Sequence, residues 1–122
     1  MDKQLFKTQT GIQADCFEEA MAFILEKTAI SGLFDFYSSF GRAGFSNVCA
    51  SAMRHETPNV VTNVMFDLTK YVLKNQADID RFNKEWIQSY GLKITESSYE
   101  EERIGGSTYR TYGLTISRNP NL

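Results

Sequence analysis

One histidine, two cysteines and two prolines make this chain poor in the residue types from which most metal and nucleophilic sites are built. With His55 alone no imidazole pair can form. No Cys-x-x-Cys or His-x-x-x-His spacing occurs either, so neither a metal nor a cofactor is expected. His55 falls near the end of an expected helix, where a partly protonated imidazole interacts favourably with the helix dipole. A Cys–His nucleophile pair with Cys16 or Cys49 is conceivable on composition, but nothing flanking either thiol resembles an activated one. Two cysteines are also fewer than the disulfide framework of a small secreted domain normally shows. Both are expected as small buried hydrophobes on helices in a reducing compartment, with a redox pair as the alternative.

The longest apolar run, Ala20 to Leu25, falls far short of the roughly 20 residues that a bilayer crossing needs. The opening Met1-Asp2-Lys3-Gln4 lacks the basic-then-apolar pattern of a secretory leader, so the expectation is a cytoplasmic protein that does not span a membrane. Charge of one sign is scarce as well. Thirteen basic and fifteen acidic residues give a net charge of −2, too little to concentrate nucleic acid or an anionic membrane at the surface. No phosphate-cradling glycine loop, internal repeat or low-complexity linker is present, and no enzymatic group stands out.

What is present is material for a core. Of 122 residues, 42% are hydrophobic and 13% aromatic, enough for one domain spanning residues 1–122 and too short a chain for two. The pattern changes once, at Gly91. Before it, apolar residues recur at helical spacing; after it, Leu92 to Arg118 fit a single β-hairpin.

Lys3 to Thr10, with Leu5 and Phe6 among Thr, Gln and Lys, reads as a candidate edge strand. Asp15 followed by Glu18 is a helix-start signature, predicting a helix from Cys16 to about Ile30. Its face of Phe17, Ala20, Met21, Ile24, Leu25 and Thr28 is widened by Ala22 and Phe23, so it should be central, and Gly32 should close it. Leu33 to Phe40 reads as a short aromatic helix, Gly41-Arg42-Ala43-Gly44 as a corner, and Phe45, Val48, Cys49, Ala52 and Met53 as the stripe of a further helix. Thr57-Pro58 then starts a helix reaching about Lys74, with Val61, Val64, Met65, Leu68, Tyr71 and Val72 inward. Asn75 with Asp78 caps a last helix, striped by Ile79, Phe82, Asn83, Trp86, Ile87 and Tyr90 and stopped by Gly91.

The hairpin can be tested by arithmetic. With Gly105-Gly106 as the turn, Ile104 faces Ser107, and walking outward pairs Glu101 with Arg110, Tyr99 with Tyr112, Ser97 with Leu114 and Thr95 with Ile116. One face collects Tyr99, Tyr112, Leu114 and Ile116, while Glu96, Ser98, Glu100, Thr111, Thr115 and Ser117 share the other. The predicted fold is therefore α+β: four to five helices packed on a small antiparallel sheet made of this hairpin, with the N-terminal segment as a candidate third strand. Phe82, Trp86 and Ile87 are the expected supports of the tyrosine-bearing face.

For function, helices and an acidic hairpin without a reactive group suggest a non-enzymatic protein that occupies the surface of a protein or ribonucleoprotein target. Glu96, Glu100, Glu101 and Glu102 form the densest acidic patch. Phe34 and Arg42, beside the glycine corner, are the candidate anchors. Small, acidic, motif-poor chains of this kind suit an inhibitor or accessory factor of a phage or other mobile element, of the anti-defence or anti-CRISPR type. A competing expectation comes from element order, which resembles that of winged-helix DNA-binding domains. It implies Asn59, Thr62 and Asn63 toward bases, Lys70 and Lys74 toward phosphates, and Arg103 and Arg110 on the wing. A third is a small-ligand pocket among Phe34, Phe36, Tyr37 and Trp86.

Overall fold

The computed structural model describes residues 2–40, 46–50 and 57–119, with the side chains at 37–40, 46–50, 99, 102, 104 and 107–111 outside the described set. It is an α+β arrangement in which helices lie on one face of an antiparallel sheet of order β2-β1-β4-β3. The glycine corner with Arg42, the end of the expected Phe45–Met53 stripe, and His55 all lie outside the described residues.

The first element corrects an expectation. Lys3–Thr10 is a helix (α1), not an edge strand, because Asp2 caps it by accepting from the Leu5 N–H at 3.0 Å, and Gly11 closes it in the left-handed conformation at φ 77°. Its amphipathic turn buries Phe6 completely. Helix α2 spans Ala14–Ser31 and ends at Gly32, φ 86°, as expected. Its start differs: Gln13 occupies the cap position without a side-chain bond, and Asp15 lies in the first turn, where it accepts from Lys3 Nζ of α1 at 2.7 Å. Asp15 and, at 3.7 Å, Glu18 together raise the Lys3 ammonium pKa above its ordinary value.

The two segments expected as middle helices are strands. β1 (Leu33–Phe40) and β2 (Ser46–Ala50) pair antiparallel, so Cys49 stands on a strand, while Cys16 is half-buried on α2. In an eight-residue aromatic segment, helical spacing and alternation both fit. Alternation prevails because Phe34 and Phe36 enter the core on either side of Asp35, and aromatic side chains pack well on a pleated surface. The third and fourth strands thus come from here, not from the N-terminus.

Helix α3 (Asn59–Asp67) runs on as a π-helical turn, Leu68–Val72, and α4 (Gln76–Phe82) as a second one, Asn83–Ile87, followed by a 3₁₀ turn, Gln88–Tyr90. The Asn75 cap is as expected, its Oδ1 accepting from the Asp78 N–H at 2.9 Å. Gly91, φ 74°, stops the run. The inward row of α3 holds through Val61, Val64, Met65 and Leu68 and then fails, for Tyr71 is 58% exposed while Leu73 is 3% exposed. A bond from the Leu73 N–H to the Leu68 carbonyl, 2.8 Å across five residues, explains the change: the wide turn rotates everything after it.

β3 (Leu92–Ile104) and β4 (Ser107–Arg118) fold at Gly105-Gly106 in the predicted register from Ile104↔Ser107 through Ser97↔Leu114. The expected Thr95↔Ile116 pair is replaced by Ile94↔Ile116, because a bulge between Ile94 and Glu96 leaves Thr95 as the extra residue. Without it, Thr95 would take the inward position. With it, Ile94 and Leu92 enter the core beside Ile116 and Leu114. β4 also pairs with β1, setting Phe34 beside Ile116 and Phe36 beside Leu114.

Behind the sheet, α2 packs on β1 and β4, and the Asn83–Ile87 turn packs on β3 with Ile87 fully buried. Phe82 and Trp86, expected beneath the hairpin, give their rings to α1 and α2. Phe6 lies 4.5 Å from Phe17 and 5.1 Å edge-on from Trp86, and Phe17 lies 5.7 Å from Phe82, ring centre to ring centre. Among the described residues, no helix is long and apolar enough to cross a membrane.

Candidate partner-binding surface

Among the described residues, α2 and the Asn83–Ile87 turn pack on one face of the sheet, and most of the described carboxylates of β3 stand on the other. Glu96 and Glu100 are exposed and lie opposite Thr115 and Thr111, on the face turned from the helices. Glu101, also exposed, lies opposite Arg110 on the alternate face. Glu102 takes the register position opposite Tyr109, and the side chains of Glu102 and Arg110 lie outside the described residues.

Asp35, hidden in the sequence inside an expected helix, joins the outer face from β1. Its Oδ1 accepts from Thr115 Oγ1 at 2.7 Å, and a hollow of about 110 Å³ is lined by Asp35, Glu96, Gly113 and Thr115. The bulged Thr95 adds a hydroxyl donating to the Thr115 carbonyl at 3.3 Å. The face is rich in hydroxyl and carboxylate groups, so it attracts cationic groups and repels phosphates.

β3 is the last strand on its side of the sheet. Its backbone at Ile94 is closed by Asn83, whose Oδ1 accepts from the Ile94 N–H at 2.8 Å while its Nδ2 donates to the Ile94 carbonyl at 3.4 Å. The amide thus imitates a neighbouring strand for one residue. Asn83→Ala should strip these side-chain partners from the part-buried N–H and carbonyl of Ile94 and lower stability by about 1–3 kcal/mol. Urea denaturation with an unchanged slope would show it; a midpoint like that of the parent would mean that water replaces the amide.

Beyond Ile94 the edge borders an open groove of about 420 Å³, floored by Ile79 and Ile94 and flanked by Gln76, Glu96 and Ser97. It lies beside a smaller cavity of about 180 Å³ between Leu73, Ile79, Leu114 and Tyr112, with Lys74 at its margin.

No family model, curated protein or solved structure matches this chain. The surface is therefore read from its chemistry alone.

Phe34 is corrected from surface anchor to core residue: it is 1% exposed, with its ring 6.5 Å from that of Phe23. Phe36 is fully buried and Trp86 nearly so, so these members of the expected pocket are core as well, while the side chain of Tyr37 lies outside the described residues; cavities of about 180 and 420 Å³ border β3 instead. Asn59, Asn63, Lys70, Lys74 and Arg103 are exposed and Thr62 is half-buried. Lys70 sits over two rings, 5.4 Å from Phe66 and 5.3 Å from Tyr71. The helical order on which the winged-helix expectation stood is not found, since β1 and β2 occupy two of its helical positions. Asp35 could have been found from its place between two phenylalanines at period two. Asn83 could have been found as an amide on an apolar stripe, which asks for a polar partner.

Proposed function

We propose that this protein is a non-enzymatic binder that occupies the basic surface of a protein or ribonucleoprotein, using the outer face of its C-terminal hairpin. The observation that carries this reading is the exposure of Glu96 and Glu100 on the outer face of a strand at the margin of the sheet, with Asp35 lining the same hollow as Glu96 and Glu101 exposed on the alternate face. Carboxylates so placed stay hydrated in the free protein, and they complement a groove of lysine and arginine of the kind that normally holds nucleic acid. An inhibitor or accessory factor deployed by a phage or other mobile element against such a target is the form we favour.

The test replaces Glu96, Glu100, Glu101 and Glu102 together by Lys. Affinity capture from nuclease-treated lysate of the native cell or its host should recover a basic partner with the parent protein and lose it with the variant, while circular dichroism stays unchanged. Two outcomes would overturn the reading: the same partner retained by the folded variant, or salt-sensitive retention of the parent on DNA that disappears in Lys70→Glu with Lys74→Glu.

A further inference from the structure

The outer margin of β3 has the makings of a docking site for a strand. β3 is thirteen residues long, contains no proline and ends the sheet on its side, so its outward backbone groups can template another chain. Asn83 marks where such pairing stops, by supplying both a donor and an acceptor to Ile94 as a strand would. From Thr95 to Ser97 the margin runs beside the groove floored by Ile79 and Ile94. A strand added here would turn alternate side chains into that groove and the others toward Glu96 and Glu100.

We infer that the occupant is an extended basic segment of the partner, in which cationic side chains alternate with apolar ones, added antiparallel or parallel to β3 as a fifth strand. This rests on the reading of the acidic face given above and specifies its mode. Glu96 and Glu100 are four residues apart on one face, about 13 Å along the strand. Lysine or arginine four positions apart on the added segment would meet both, while intervening valine-sized side chains cover Ile79. A second copy of this chain is a worse occupant. Antiparallel self-pairing centred on Ser98 sets Glu96 of each copy across from Glu100 of the other, and like charges directly opposite destabilise a ladder.

The probe is a synthetic peptide of about eight residues alternating Lys and Val, titrated into the intact protein and read by fluorescence anisotropy. Two further versions carry backbone N-methyl groups, one on every Lys and one on every Val. Successive N–H groups of a strand point to opposite sides, so only one version loses the bonds to β3. That version should bind at least about tenfold more weakly, since two or three lost bonds are worth that much, while the other stays within about threefold of the unmethylated peptide. Glu96→Lys with Glu100→Lys should weaken all three.

If both methylated versions match the unmethylated one while the charge reversal still weakens binding, strand addition is overturned and the acidic docking face stands. If the parent protein binds none of the peptides, the inference is overturned, and the capture experiment decides the broader reading separately. A salt-resistant homodimer by analytical ultracentrifugation, lost on Ser97→Pro, would assign the margin to self-association and overturn the inference as well.

Discussion

Phe6→Ala is expected to lower the stability of the fold by about 3–5 kcal/mol, the cost of emptying a fully enclosed phenylalanine site. The ring is completely buried between Phe17, at 4.5 Å, and Trp86, at 5.1 Å, with Phe82 at 6.4 Å, so its loss leaves three aromatic neighbours facing a void. Small domains hold about 5–15 kcal/mol in all, which makes this one side chain a large fraction of the total. The backbone around it cannot easily collapse into the gap. Thr10 Oγ1 donates to the Phe6 carbonyl at 2.8 Å and accepts from the Ile12 N–H at 3.1 Å, fixing the end of α1 to the turn beyond it. Chemical denaturation followed by the emission of Trp86, the only tryptophan, reports both the lost stability and the changed ring environment. Lys3→Ala is the control, for it removes an ion pair between exposed side chains and should move the midpoint little. A midpoint for Phe6→Ala close to that of the parent would mean that α1 is an ornament on the helical layer, and the aromatic cluster would lose its place at the centre of the fold.

That α1 was not legible as a helix is a consequence of its length. Eight residues with one buried phenylalanine and one buried threonine give too little periodicity to separate helix from strand, and the helix is fixed by tertiary burial of Phe6 more than by propensity. The same ambiguity ran the other way in Leu33–Phe40, where five apolar residues fit a helical face as well as a strand. Pairing with β4, which no local pattern reports, decides it. By contrast, α2, α3, α4 and the hairpin were legible because longer apolar patterns run between their boundary signals: Gly32 after α2, the Asn75 cap that opens α4, Gly91 after the turns that continue it, and the Gly105-Gly106 turn. The Thr95 bulge was not, because a single extra residue changes no composition. Yet Leu92 and Ile94 were the clue, since unbroken alternation from the turn would have put both on the solvated face.

The candidate surface was half legible. The carboxylates of β3 were visible as a run, and Glu96, Glu100 and Glu101 are exposed, with Thr115, Thr111 and Arg110 opposite them in the register. Their setting was not visible. The Thr115–Asp35 bond, the Asn83 amide on Ile94 and the groove beside Ile79 all join positions far apart in the chain, and two of these pairings depend on strands or bulges that the sequence does not announce.

Leu73 and Tyr71 give the sharpest contrast between pattern and structure. An unbroken helix from Val61 would carry Tyr71 inward and Leu73 outward, whereas the π-helical turn at Leu68–Val72 adds a residue and rotates the chain beyond it by about 100°. Leu73 then seats beside Ile79 and Leu114 at 3% exposure, and Thr69, at 1%, turns its hydroxyl to the Phe66 carbonyl at 3.0 Å. Leu73→Ala should therefore cost about 2–5 kcal/mol, as other enclosed leucines do. Tyr71→Ala should cost no more than about 1 kcal/mol, since the ring is largely in solvent and Lys70 keeps Phe66 as its second aromatic partner. Paired urea titrations of the two variants measure the difference directly. Equal losses, or the larger loss at Tyr71, would show that the helix keeps ordinary phase past Leu68; the cavity against Leu114 and Tyr112 would then have another wall, and the groove beside β3 another floor.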